Sequence, residues 1–277
     1  MANVPTVKLK TGGKMPITGF GTWNLNGETL RNSLKVALDK GYDHIDTAEG
    51  YQNEEIVGEV LRDRDRDELF LTSKVLPSNL HYDDVLRSLD QSLDKLGTDY
   101  LDLYLVHWPN PAISLRDTLH AFAKIYNSGK VKNIGVSNFS LYQLKIAQRI
   151  SEVPISVNQI EFHPWCYEEE MLNYCKENDV RVTASAPLAR TKVLEDSTIK
   201  NLAQKHDKTP AQIVLRWQIQ HGVVTIPKSS TKEHIEANFE VFDFELSQDE
   251  MDKLDNIPRH EKIYQIDLED DIYGIPS

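Results

Sequence analysis

Four residues carry proton chemistry at the ends of short apolar runs. In the stretch His44–Glu55, HIDTAEGYQNEE, Asp46 closes one such run and Tyr51 follows across a Thr-Ala-Glu-Gly turn. Lys74 sits in LFLTSKVL and His107 in LYLVHWP. Together they suit acid–base catalysis at a carbonyl. A free phenol, with a pKa of about 10, is a poor general acid or base at neutral pH. A neighbouring ammonium favours the phenolate and lowers that value. The ammonium itself needs a counter-charge in an apolar site, which Asp46 can supply. A neutral histidine within reach can donate to a carbonyl oxygen and orient it. Taken singly, each residue has an ordinary structural role. Asp46 is a turn former, Lys74 a side chain snorkelling at a strand end, His107 a core histidine and Tyr51 a packed aromatic.

What unites the four is the set of elements that must position them. The chain alternates strand and helix: ITGFGT then Glu28–Lys40; DHID then a helix after Asn53; LFLTSKV then Asp83–Leu96; LDLYLVH then Leu115–Ser128. It continues with VKNIGVS then Leu141–Ile150, ISVNQIE then Glu168–Glu177, VRVTASA then helices from Ser197 to His221, and VVTIPKS then Lys232–Phe239. Several of these strands are continuous Val, Ile and Leu runs, as a parallel strand covered on both faces requires. Gly41, Gly97, Gly129 and Gly222 stand where left-handed helix ends are expected, and KTPAQ offers a Thr cap with Pro at the first helical position. A hairpin over about 6–18, turning at Gly12-Gly13, precedes them.

Eight strand–helix units predict an α/β fold, a (β/α)8 TIM barrel with the N-terminal hairpin closing its bottom. A doubly wound sheet is the alternative, but GFGTWN places Asn24 where G-x-G-x-x-G needs its last glycine. The whole chain, 1–277, is expected to form a single barrel domain with a short tail over about 258–277. In a barrel the site lies at the C-terminal strand ends. Here these read Thr22-Trp23, Asp46, Lys74, His107-Trp108, Ser137-Asn138, Gln159, Ser185 and Lys228-Ser229. Every strand delivers a polar or ionisable group to one rim.

Composition narrows the class further. With 31 basic and 43 acidic residues the formal net charge is -12, which argues against a nucleic-acid binder. No apolar signal core opens the sequence and no run approaches a membrane span. A cytoplasmic location is expected. Cys166 and Cys175 read as two reduced thiols, the sequon at Asn138 as irrelevant to glycosylation, and RDRDRDE as a solvated turn. No metal-ligand spacing is present.

Seven ordered motifs then carry a resemblance. GFGTW, HIDTAEGYQNE, the strand ending in Lys74, LVHWP, GVSNF, NQIEFHP and IPKSS with its downstream Ile and Asn are similar to the aldo-keto reductase family, from about Lys8 to Leu254. The resemblance implies that Tyr51 is the general acid in carbonyl reduction, with Lys74 lowering its pKa, Asp46 holding Lys74 and His107 positioning the carbonyl. It implies a nicotinamide cofactor whose carboxamide is held by Ser137, Asn138 and Gln159. Lys228 and Ser229 match ligands of the adenosine 2′-phosphate, Asn238 a ligand near the adenine. Thr22, Trp23, Ser185, Leu188 and His234 fall at further cofactor positions. Trp23, Leu76 and Trp108 would wall the substrate pocket. Two departures stand out. Ser185 replaces an aromatic that stacks on the nicotinamide, and His234 replaces an arginine of the phosphate clamp, with Ala237 in place of a glutamate. NADPH is therefore expected, with NADH use possible. The short connection after HWP resembles the compact microbial type, similar to 2,5-diketo-gluconate reductases and to methylglyoxal and xylose reductases, which implies small aldehydes and ketones as substrates and a monomer. Two other readings stay open: a Schiff-base lyase built on Lys74, and a non-catalytic nicotinamide sensor.

Overall fold

The computed structural model describes residues 4–264. An antiparallel hairpin, β1 (Thr6–Lys8) and β2 (Lys14–Pro16), comes first. Gly12 sits at φ 98°, where a side chain is disfavoured, and its N–H donates to the Leu9 carbonyl at 2.9 Å. Eight parallel strands follow: β3 (Phe20–Gly21), β4 (His44–Asp46), β5 (Phe70–Val75), β6 (Leu103–Val106), β7 (Ile134–Ser137), β8 (Ile155–Glu161), β9 (Arg181–Ser185) and β10 (Val224–Thr225). They pair in chain order. The ring closes where Gly19 N–H donates to Thr225 O at 2.8 Å and Thr225 N–H to Ile17 O at 2.9 Å. The barrel expected from the strand count is therefore observed.

Helices α1 (Gly27–Lys40), α2 (Glu54–Leu61), α3 (Tyr82–Leu96), α4 (Leu115–Asn127), α5 (Leu141–Ile150), α6 (Glu169–Glu177), α7 (Ser197–His206), α8 (Pro210–Gln220) and α9 (Lys232–Phe239) cover the outside. Their buried leucines, isoleucines and aromatics form one large apolar layer against the strands. Inside the ring, Phe70, Leu103, Leu105, Val157 and Val224 pack with Leu9 and Met15 of the hairpin, so the hairpin plugs the N-terminal end. The open end is left to the polar strand ends. All four glycines expected at helix ends have positive φ, between 65° and 112°. Thr209 and Gln212 form the capping box that starts α8.

Three features differ from the sequence reading. The last strand was expected to run to Ser229 but ends at Thr225. Pro227 has no N–H to give the ladder, and its carbonyl instead accepts from Gly21 N–H at 3.1 Å. The first barrel strand shrinks to Phe20–Gly21 within the expected Ile17–Thr22. A further helix, α10 (Gln248–Asp255), went unforeseen although Ser247 and Glu250 form a capping box at its start. The expected tail falls outside the described residues from 265 onward. Among the described residues no helix is long and apolar enough to cross a membrane.

Gly58 shows how tightly the outer layer is packed. Exposed helical glycine is normally worse than alanine by about 1 kcal/mol. A Cβ at Gly58 would lie 2.5 Å from Lys95 O and 2.7 Å from Leu96 O, both backbone atoms of α3. We expect Gly58→Ala to destabilise the protein by about 1–3 kcal/mol, the usual cost of overpacking. A urea midpoint that rises instead would show that α2 and α3 separate freely.

Candidate active site

Three consecutive strands bring the reactive groups together. Asp46 ends β4, Lys74 stands one residue before the end of β5, and His107 follows β6. Tyr51 arrives on a short 3-10 turn, Glu49–Tyr51, whose N–H donates to Ala48 O at 3.0 Å. Glu49 braces this turn against the next loop. Its carboxylate accepts from Leu76 N–H at 2.9 Å and from Asn79 Nδ2 at 2.8 Å. Asn53 ties the turn to the loop after β3, donating to Thr22 O and Leu25 O at 2.9 Å each.

Lys74 is fully buried. Its ammonium has three donors, and the structure supplies three acceptors: Asp46 Oδ1 at 2.5 Å, Thr47 O at 2.9 Å and the Tyr51 hydroxyl at 3.2 Å. The other Asp46 oxygen accepts from Gln159 Nε2 at 2.8 Å. The carboxylate is thus saturated by a lysine on one side and an amide on the other. Buried charge of this kind persists only when paired and hydrogen-bonded.

Burial first, and the Asp46 charge second, hold the Tyr51 phenol well above its ordinary range. Lys74, 3.2 Å from the phenol oxygen, stands where its ammonium favours the phenolate against these two effects. The carboxylate that neutralises the lysine also opposes the phenolate, and the ring is taken out of water. The phenol is therefore protonated at rest, with Lys74 aimed at its oxygen. His107 is held neutral, its pKa driven well below the usual histidine value by burial and by Lys74. Its Nδ1 has no hydrogen-bond partner among the described residues, and its ring meets Tyr51 edge-on at 5.5 Å.

Above this cluster opens a cavity of about 480 Å³. Asp46, Tyr51 and His107 form its floor. Trp23, Trp108, Ser137, Asn138, Gln159, Ser185, Leu188 and Lys228 stand in its walls. The remaining expected site residues lie elsewhere. Thr22 is buried beneath, its hydroxyl donating to Asp46 O at 3.1 Å. Leu76 is half-buried and outside the lining, its N–H spent on Glu49. Ser229 lies past Lys228, while exposed His234 and buried Asn238 stand on α9. None of these three reaches the cavity wall.

The sequence reading gave Gln159 as a carboxamide ligand but not as a partner of Asp46, and it missed further contributors. The loop after β9 holds Ala186, Ala189, Arg190 and Thr191 at positive φ, the last a β-branched residue for which that region is costly. It delivers Arg190, whose guanidinium lies 4.8 Å over the Trp23 ring across the cavity mouth. Tyr264, from the segment after α10, also lines the cavity, with its ring edge-on to Trp108 at 5.6 Å. Among the described residues no group of three or more His, Cys, Asp or Glu side chains gathers as a metal site.

Comparison with known proteins places this geometry. Residues 18–259 match the Aldo/keto reductase family. The glyoxal reductase of Bacillus subtilis (strain 168) is 43% identical over 93% of this chain and 94% of its own. The 9,11-endoperoxide prostaglandin H2 reductase of Trypanosoma cruzi is 38% identical over 94% of each. Among solved structures, an aldo-keto reductase from a Medee basin deep-sea metagenome library superposes with a TM-score of 0.90 at 39% identity, covering 94% of this chain and 97% of that one.

Proposed function

Because the chain belongs to the aldo/keto reductase family, whose members are oxidoreductases acting on carbonyls, we propose that it reduces small aldehydes and ketones to alcohols with NADPH, using Tyr51 as the proton donor. The observation that carries this reading is the Tyr51 hydroxyl at the cavity floor with the Lys74 ammonium 3.2 Å from its oxygen.

The cavity fits a nicotinamide cofactor on its donor set. Asn138, Gln159 and Ser185 line it, amide and hydroxyl residues of the kind that a carboxamide, which needs both donors and acceptors, requires. Lys228, and Arg190 at the mouth, supply the cations that a phosphate-bearing end requires. When bound, the reduced nicotinamide supplies hydride to the carbonyl carbon. The chain's own residues do the rest. His107, neutral, donates to the carbonyl oxygen and fixes its direction. The Tyr51 O–H bond breaks as negative charge grows on that oxygen, and the proton passes to it. Lys74 then faces a phenolate, which its ammonium stabilises far better than it stabilises the phenol. Asp46 and Gln159 keep the ammonium in place through the change.

A Schiff-base role for Lys74 is not favoured by the same geometry. Its three donors are engaged, and the side chain is packed beneath Tyr51 rather than offered to the cavity. For substrates, the aromatic walls and few convergent polar groups suit small carbonyl compounds of several kinds. The glyoxal reductase relative acts, by its name, on one of them.

Cofactor choice gives a direct test. Lys228 remains to meet a 2′-phosphate while His234 replaces the usual arginine. We expect kcat/KM for NADPH to exceed that for NADH by several-fold. Equal or better efficiency with NADH would assign the phosphate no role in binding here.

A further inference from the structure

The turn that carries Tyr51 has little of its own to hold it. Its backbone hydrogen bonds run from Tyr51 N–H to Ala48 O at 3.0 Å and from Gln52 N–H to Glu49 O at 3.2 Å. A 3-10 turn this short closes with poorly aligned bonds. Gln52 ends it at φ 54°, a left-handed conformation that residues with a side chain seldom adopt. The place of the phenol oxygen is therefore set by groups outside the turn. Asn53 fastens one side, to the loop after β3. Glu49 fastens the other.

The Glu49 carboxylate gathers three donors from the next unit of the barrel. One oxygen accepts from Leu76 N–H at 2.9 Å, and the other from Asn79 Nδ2 at 2.8 Å and Ser88 Oγ at 3.2 Å. Hydrogen bonds to a carboxylate are about twice as strong as neutral ones. The loop from Leu76 to Leu80 is gripped on its far side as well. Asn110 Nδ2 donates to Pro77 O at 2.9 Å, and Thr118 Oγ1 to Leu80 O at 2.7 Å. Asn110 is buried, and its Oδ1 accepts from Ala112 N–H at 2.9 Å. A continuous line of hydrogen bonds thus runs from the turn of Tyr51, through the 76–80 loop, to the loop that follows His107 and Trp108. Glu49, Asn79 and Asn110 all lie outside the cavity lining.

We propose that Glu49 and Asn110, acting through the 76–80 loop, form a truss that holds Tyr51 and His107 in register for proton transfer to the carbonyl oxygen. The proposal rests on the carbonyl-reduction reading. Both are positioning residues, because each acts on the carbonyl only through another side chain. The phenol and the imidazole must converge on one oxygen, yet they arrive on different loops and meet only edge-on, with ring centres 5.5 Å apart. Such a contact tolerates sliding, whereas a chain of directed hydrogen bonds does not. A misplacement of about 1 Å caused by a distant substitution can lower a rate by about 10²-fold.

The test compares Glu49→Gln, Glu49→Ala, Asn110→Asp and the pair Glu49→Gln with Asn110→Asp in the full chain, with NADPH and propanal. Glutamine keeps one acceptor oxygen but turns an amide N–H toward a donor. Aspartate at position 110 keeps an acceptor for Ala112 and loses the donor to Pro77 O. In Glu49→Ala, kcat should fall by about tenfold to a hundredfold, and by less in Glu49→Gln, while KM for propanal and Kd for NADPH stay within a few-fold. Asn110→Asp should lower kcat several-fold, and the two effects should not multiply in the pair, since both break one truss. The solvent isotope effect on kcat should rise in each variant as proton transfer slows. A merely structural loss, with fewer folded molecules, lowers kcat without moving that ratio. Hydrogen exchange reads the truss without turnover, and the Leu76 amide should lose protection in Glu49→Gln. Wild-type kcat in both Glu49 variants, or a lowered kcat with an unchanged isotope effect, would overturn the positioning role. Preserved protection at Leu76 would overturn the truss. If the wild type did not turn over propanal while Glu49→Gln still lost that protection, the reaction reading would fail and the truss would stand.

Discussion

Tyr51→Phe is expected to lose carbonyl reduction by a factor of about 10²–10⁴, the usual contribution of a positioned general acid. The loss should appear in kcat. The ring keeps its edge-on contact with His107, and the cavity keeps its shape, so only the proton donor is removed. Cofactor affinity should therefore survive, measurable through quenching of Trp23 and Trp108, both in the cavity wall. Reduction within a few-fold of wild type would mean that water or another group delivers the proton. In that case Lys74 would be guarding a packing tyrosine rather than an acid.

Lys74→Met should produce the largest change in stability. Lysine and aspartate are both buried, and methionine fills much of the lysine volume without its charge. The substitution leaves Asp46 with Gln159 alone, a nearly buried carboxylate without its counter-charge. Breaking a buried pair in this way costs about 3–5 kcal/mol, more than the pair itself contributes. Removing the second charge as well, in Asp46→Asn with Lys74→Met, should recover much of that loss while activity stays absent. Urea denaturation reads both proteins. A single variant within about 1 kcal/mol of wild type would imply that water enters the barrel to solvate Asp46, against its near-complete burial.

Both results turn on residues that the sequence brings into view in different degrees. The alternation of apolar runs with capped helices makes the barrel legible, because each strand must be hydrophobic on both faces and each helix must end. The convergence of Asp46, Lys74 and His107 follows from that ring, since neighbouring strand ends share one rim. The lysine–carboxylate contact at 2.5 Å is the outcome that reading expects. Tyr51 is a partial case. Its neighbours were evident, but the loss of water around its ring, which raises its pKa, was not.

What remained hidden depends on contacts between distant segments or on backbone strain. Gln159 reads as a polar strand end, and only the folded ring turns its amide toward Asp46, 113 positions away. The loop after β9 carries no glycine to announce its positive φ values, so the placement of Arg190 over Trp23 could not be read from local composition. Tyr264 lies beyond every motif. Its N–H is held by Glu161, which in sequence is one more polar residue at a strand end.

The most direct test of the account follows NADPH oxidation by the wild-type protein across a panel of small aldehydes and ketones. The expected result is saturable turnover that requires both substrates, with NADPH consumed in step with the alcohol formed. Tight NADPH binding with no turnover on any member of the panel would contradict it, and would make the same site a nicotinamide sensor.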